Sequence, residues 1–88
     1  MNYFDWDENK RKYNLEKHGI DFMDAIEIFD DLNRIEFENI RRGEIRVQVI
    51  GMAYDIVLFL VYTLRGRVKR IISVRRASKN ERKAYDEA

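Results

Sequence analysis

The spacing of apolar residues changes once along the chain, near Asp31: before it they are sparse or three and four apart, after it they alternate. The opening segment YFDW (Tyr3 to Trp6) is a short aromatic-rich strand candidate. Asp7 stands as an N-cap before ENKRKYNLEKH, and Gly19 supplies the C-terminal stop. This first helix is thinly apolar, with Tyr13 and Leu15 as its main anchors, which predicts a surface position. Asp21 caps a second helix in which Phe22, Ala25, Ile26 and Phe29 fall at i, i+3, i+4 and i+7. That spacing makes one core-facing stripe, ending at Asp30 and Asp31.

Period two follows. RIEFENI sets Ile35 and Phe37 against Glu36 and Glu38, and EIRVQVI sets Ile45, Val47 and Val49 against Arg46 and Gln48, the alternation of half-exposed strands. RRG (Arg41 to Gly43) between them reads as a hairpin turn. DIVLFLVYTL is apolar on both alternating faces, which predicts a central strand covered on both sides. Arg65 and Gly66 turn the chain into RVKRIISVRR, the last strand. Ser78 and Glu81 then form an S-x-x-E capping box that opens a short C-terminal helix. The expected architecture is α+β: a short N-terminal strand and two helices, then a roughly four-stranded antiparallel sheet and a C-terminal helix, with the helices on one side of the sheet.

Length and composition narrow what this fold can do. A chain of 88 residues has room for one domain, spanning 1–88, and any site must lie on its surface or in a shallow cleft. The absence of cysteine excludes disulfides and thiolate chemistry and fits a reducing cytoplasm. The N-terminus lacks the apolar core of a signal peptide, and the longest apolar run, Ile56 to Tyr62, is too short for a bilayer, so a soluble protein is expected. The net charge of +1 conceals an asymmetry. Residues 1–38 carry eleven acidic and five basic side chains (net −6), whereas 65–83 carry nine basic and one acidic (net +8). Gathered on one face, the basic segment would be a footprint for a polyanion such as RNA or DNA; otherwise it is a solvated surface balanced by the acidic half.

The basic charge peaks where the last strand meets the last helix. Arg75 and Arg76 point to opposite faces of an extended strand, so at most one of them shares the open face with Ile71 and Ser73. Ser78 marks the helix start with its unpaired backbone N–H groups, and Lys79, Arg82 and Lys83 follow within about one turn. Guanidinium forks and helix N–H donors together suit a phosphate. The competing reading pairs one arginine with the acidic half of the chain and leaves the rest to solvent.

Three segments in this order resemble one family. They are FDWDENKRKYNLEKHGIDF followed by IFDD, and later VYTLRGRVKRIISVRRASKNERKAY, covering about Phe4 to Tyr85. Their shared motifs are W-D-x-x-K at Trp6 to Lys10, N-x-x-K-H-G at Asn14 to Gly19, and R-I-I-S-x-R-R-A-x-x-x-E-R-x-x-Y at Arg70 to Tyr85. The chain is similar to the BrnT toxins of type II toxin–antitoxin modules, small proteins with a RelE-like fold. The resemblance implies an RNA endonuclease that inhibits translation and is neutralised by a BrnA-type antitoxin. The antitoxin would carry a ribbon-helix-helix region and link the pair to operator DNA. Small departures, Val74 where alanine is common and Ser78 where threonine is common, preserve size or capping.

Such an enzyme does not require a metal or other cofactor, and no cluster of histidines or cysteines here has metal-ligand spacing. RNA brings its own nucleophile, the 2′-hydroxyl. The protein must then supply a proton acceptor, a cation for the pentacoordinate phosphate and a proton donor for the leaving 5′-oxygen. Arg75 or Arg76, assisted by Arg82, is the expected cation. His18, the sole histidine, has an ordinary pKa of about 6.5 that suits proton transfer, but its place at a helix end equally fits a stabilising charge on the helix dipole. Tyr85 and Tyr62 are either proton donors and stacking platforms or core and rim residues. Lys10 and Arg70 are candidate phosphate contacts, and Lys10 alternatively pairs with nearby acids. Glu81 is explained by its cap, and Trp6 and Phe4 by burial under the first helix. Two other classes remain open: a noncatalytic nucleic-acid-binding module, and a protein-binding module whose basic face receives an acidic partner.

Overall fold

The computed structural model describes residues 3–88. The chain order is β1 (Tyr3–Trp6), α1 (Glu8–His18), α2 (Phe22–Ala25), a 3₁₀ turn (Ile26–Asp30), β2 (Ile35–Arg41), β3 (Glu44–Ala53), β4 (Ile56–Arg65), β5 (Val68–Arg76) and α3 (Lys79–Glu87). The strands form one sheet in the order β1-β5-β4-β3-β2. Strands β2 to β5 make the expected antiparallel meander. Strand β1 adds a fifth, parallel strand beside β5, Tyr3 opposite Val68 and Trp6 opposite Ile71.

Local signals hold at the helix ends. The Asp7 carboxylate accepts from the backbone N–H groups of Asn9 and Lys10, and Gly19 closes α1 at φ 70°. Helix α1 is anchored by a polar side chain, in place of the expected Tyr13 and Leu15, which are exposed. Its buried residue is Asn14, whose Nδ2 donates to the Ile20 carbonyl at 3.1 Å while its Oδ1 accepts from the Val74 N–H at 3.0 Å. Strand β1 stops opposite Ile71, so Val74 has no strand neighbour on that edge, and the asparagine supplies the acceptor.

The second apolar stripe is rearranged by its backbone. The α-helix gives way to a 3₁₀ turn at Ile26, and the tighter winding of three residues per turn makes Ile28 fully buried while Ile26 is only partly covered. Phe22, Ala25, Ile28 and Phe29 pack on Val47 and Val49 of β3, Leu58, Leu60 and Tyr62 of β4, and Ile71 and Val74 of β5. Each large buried side chain contributes roughly 1.5–3 kcal/mol. Phe4 and Trp6 are partly buried against this core, Trp6 edge-on to Phe22 and Phe4 beside Phe29.

Two departures decide where the site lies. Val61 pairs with Ser73 but Tyr62 pairs with Ile71, so Ile72 is an extra residue in β5, a bulge that resets the alternation. Ile71 therefore faces the core, whereas Ser73 and Arg75 share the opposite face. The second departure is α3. The helices are not all on one side: α3 is tied to Arg75, on the face opposite Val74, and reaches β3. Ile50, which alternates with the core residue Val49, is buried on that face. Strand β2 runs at the sheet's edge with its apolar residues reversed relative to the core: Glu38, not Phe37, lies opposite core Val47, and Phe37 is exposed.

Candidate nucleic-acid interface

Strand β5 ends at Arg76 and α3 begins at Lys79, so only Ala77 and Ser78 turn the corner. The Ala77 N–H still donates to the Val57 carbonyl at 3.0 Å, which keeps the turn against β4. Ser78 caps α3 as expected: its hydroxyl accepts from Glu81 N–H, and the Glu81 carboxylate accepts from Ser78 N–H at 2.7 Å. That carboxylate does a second job. It receives both terminal nitrogens of Arg75, at 2.7 and 2.9 Å, while the guanidinium lies 4.2 Å from the centre of the Phe59 ring. The hydrogen-bonded pair raises the Arg75 pKa and lowers that of Glu81. Arg75 is thus neutralised and oriented by a fork-to-fork contact. Glu81 also puts a carboxylate at the first turn of α3, where a phosphate would otherwise profit from the helix dipole.

Arg76 is held differently. It is exposed and, among the described residues, makes no ion pair, and the same is true of Arg82. Both line one open cleft with Asp55, Ile56, Val57 and Ala77. Arg82 also belongs to the outer surface of α3, where Lys79 and Lys83 add positive charge at the start of the helix and Asp86 and Glu87 offset it towards the end. Two guanidinium groups without an ion pair among the described residues give this corner positive charge and unused hydrogen-bond donors.

The remaining cations do not gather there. Arg70 bonds Asp5 of β1 at 3.1 Å. Lys69 lies on the core side, its Nζ 5.1, 5.8 and 6.0 Å from the ring centres of Phe29, Tyr62 and Phe4. Arg65 and Arg67 sit at the hairpin that starts β5, the far end of the strand from Arg76.

Other sequence candidates lie outside the cleft. His18 is half-buried in the last turn of α1, and Lys10 is exposed in its first. Tyr85 donates its hydroxyl to Asp31 Oδ2 at 2.6 Å, and that bond, with burial and the carboxylate charge, pushes its pKa up to about 12. Tyr62 is buried, its pKa raised by burial and by its hydrogen bond to Glu36 at 3.0 Å. Trp6 donates Nε1 to Glu8 at 2.9 Å.

Three residues that periodicity passes over have defined places. Asp31 accepts from Asn33 N–H, Met52 N–H and Tyr85 Oη, joining the end of the 3₁₀ turn, β3 and α3. Lys69 occupies a ring of three aromatics. Asp55, at the turn between β3 and β4, lines the cleft that Arg76 and Arg82 share. A polar residue in a hairpin turn is so ordinary that only the pairing of strand ends in space distinguishes it. No group of three or more His, Asp or Glu residues that could hold a metal occurs among the described residues, and no helix among them is long and apolar enough to cross a membrane.

Residues 6–81 match a family model described as the ribonuclease toxin, BrnT, of type II toxin–antitoxin systems. No curated protein matches the chain.

Proposed function

The chain belongs to the BrnT family of ribonuclease toxins of type II toxin–antitoxin systems, and on that basis we propose that it cleaves RNA without a metal, with Arg76 and Arg82 as the cations that bind the scissile phosphate. The observation that carries this reading is the contrast between neighbours. Arg75 is neutralised by Glu81, whereas Arg76 and Arg82 share a solvent-open cleft with no ion pair among the described residues. Charge builds up on the phosphate oxygens as the 2′-hydroxyl attacks, and two guanidinium groups at the corner of β5 and α3, with donors free to turn towards it, stabilise that charge more than the ground state. Lys79 and Lys83 on the outer side of α3 hold the flanking phosphates. RNA's own 2′-hydroxyl is the nucleophile, so bound water need not be activated.

A type II toxin implies a cognate antitoxin. We assign that role to a BrnA-type ribbon-helix-helix protein, which carries the pair to operator DNA and blocks translation arrest by covering the basic corner with acidic groups. Incubation of the antitoxin-free protein with a defined RNA in excess EDTA tests the chemistry. Products with 2′,3′-cyclic phosphate and 5′-hydroxyl ends are expected. Cleavage that disappears on chelation and returns with a divalent cation would overturn the metal-free mechanism.

A further inference from the structure

Three two-residue turns join the meander, and one of them is built unlike the others. Arg42 and Gly43 join β2 to β3 with both residues at positive φ, and Gly66 opens the turn between β4 and β5 at φ 60°. Each places glycine where a side chain is disfavoured. The turn between β3 and β4 has none: Tyr54 sits at φ 52° and Asp55 at φ 65°, with Ala53 and Ile56 paired at its base. A tyrosine in the left-handed region is strained, and an Asn-Gly or Asp-Gly pair would relieve it. Packing offers no reason for the choice, because Tyr54 is largely exposed.

The turn's position offers one. It delivers Asp55 to the cleft that Arg76 and Arg82 line, and the other lining residues, Ile56, Val57 and Ala77, carry no titratable side chain. Resting on the ribonuclease reading above, we infer that Asp55 is the general base of the cleft, taking the proton from the 2′-hydroxyl of the RNA held by Arg76 and Arg82. The O2′–H bond breaks with its proton passing to the Asp55 carboxylate, the O2′–P bond forms, and the P–O5′ bond breaks. The departing 5′-oxygen takes a proton from water, and Asp55 returns its own to solvent. Arg76 and Arg82, which line the cleft with Asp55, and the Asp21 and Asp24 carboxylates, which line the neighbouring pocket with Tyr54 and Ile56, are the charged groups near this turn. The two-residue turn holds the Asp55 backbone at the mouth of the cleft, which leaves its exposed carboxylate within the space that a hydroxyl bound there would occupy.

Single-turnover cleavage by wild-type, Asp55→Asn, Asp55→Gly and Arg76→Ala proteins tests this, alongside their affinity for the same RNA bearing a 2′-deoxy substitution at the scissile nucleotide. Asparagine and glycine both tolerate the left-handed conformation, so these proteins fold. The expected result is a rate loss of about 10²–10⁴-fold in Asp55→Asn with affinity equal to or tighter than wild type. Added formate should restore cleavage to Asp55→Gly, which a purely structural role would not produce. If both Asp55 variants cleave within about threefold of wild type while Arg76→Ala does not, Asp55 is only a countercharge and the phosphate-binding reading stands. If Arg76→Ala also cleaves normally, the cleft itself is not the active site and both readings fall.

Discussion

Glu81 holds Arg75 with both carboxylate oxygens while the same carboxylate caps the backbone N–H of Ser78, so a single side chain fastens the end of β5 to the start of α3. The guanidinium of the next residue, Arg76, has no ion pair among the described residues. Replacing Glu81 with glutamine removes the charge from both contacts. The pair is partly open to solvent, so the cost is about 1–2 kcal/mol, read as a lower urea midpoint at unchanged slope. The pH dependence has a defined sign. The folded state lowers the Glu81 pKa, chiefly through the Arg75 hydrogen bonds, so its contribution is present above the ordinary carboxylate value and is lost as the pH falls through the lowered one. Glu81→Gln should therefore flatten the acid side of the stability curve.

Asn14 is the second fastening. It is the only side chain joining α1, the Ile20 carbonyl and the Val74 N–H in the hydrogen bonds among the described residues. Asn14→Ala leaves a buried N–H of β5 without a partner and should destabilise by about 2–3 kcal/mol. Hydrogen exchange at Val74 should accelerate more than at Leu60, which keeps its strand partners. Equal acceleration at both would contradict a local role for the asparagine.

The Tyr85–Asp31 bond secures the far end of α3. Tyr85→Phe should cost about 1–2 kcal/mol, because the lost hydrogen bond has a charged acceptor. The tyrosine pKa is raised to about 12 by that bond first and by burial second. The bond therefore stabilises fully below the ordinary tyrosine value, and this contribution is lost as the pH rises towards about 12. Unfolding midpoints of wild type and Tyr85→Phe measured between pH 8 and pH 12 should converge at the alkaline end. A constant difference would show that the hydroxyl contributes by packing.

These fastenings explain which parts of the molecule could be read from the chain. Asp7, Gly19 and Ser78, and Glu81 in its capping bond to Ser78, act through bonds to residues within four positions, and the alternation of β3 to β5 is visible because one face of each is buried. Long-range events leave no such trace. The pairing of β1 with β5 joins Tyr3 to Val68, the bulge at Ile72 shows only against the register of β4, and the crossing of α3 to the other face follows from Arg75 and Asp31 meeting their partners. At the site, the arginine pair was evident as charge. What distinguished Arg75 from Arg76 was a single carboxylate six residues on, and what brought Asp55 to the cleft of Arg76 and Arg82 was the folding of a hairpin.

In the proposed mechanism Arg76, not its neighbour Arg75, binds the reacting phosphate. The direct test is single-turnover RNA cleavage in EDTA by Arg75→Ala and Arg76→Ala proteins, each shown to be folded by its thermal transition. Arg76→Ala should lose about 10²-fold or more in rate at near-native stability. Arg75→Ala should instead lower the unfolding midpoint and keep its rate within about tenfold. A folded Arg75→Ala protein that no longer cleaves, beside an Arg76→Ala protein that cleaves like wild type, would contradict it.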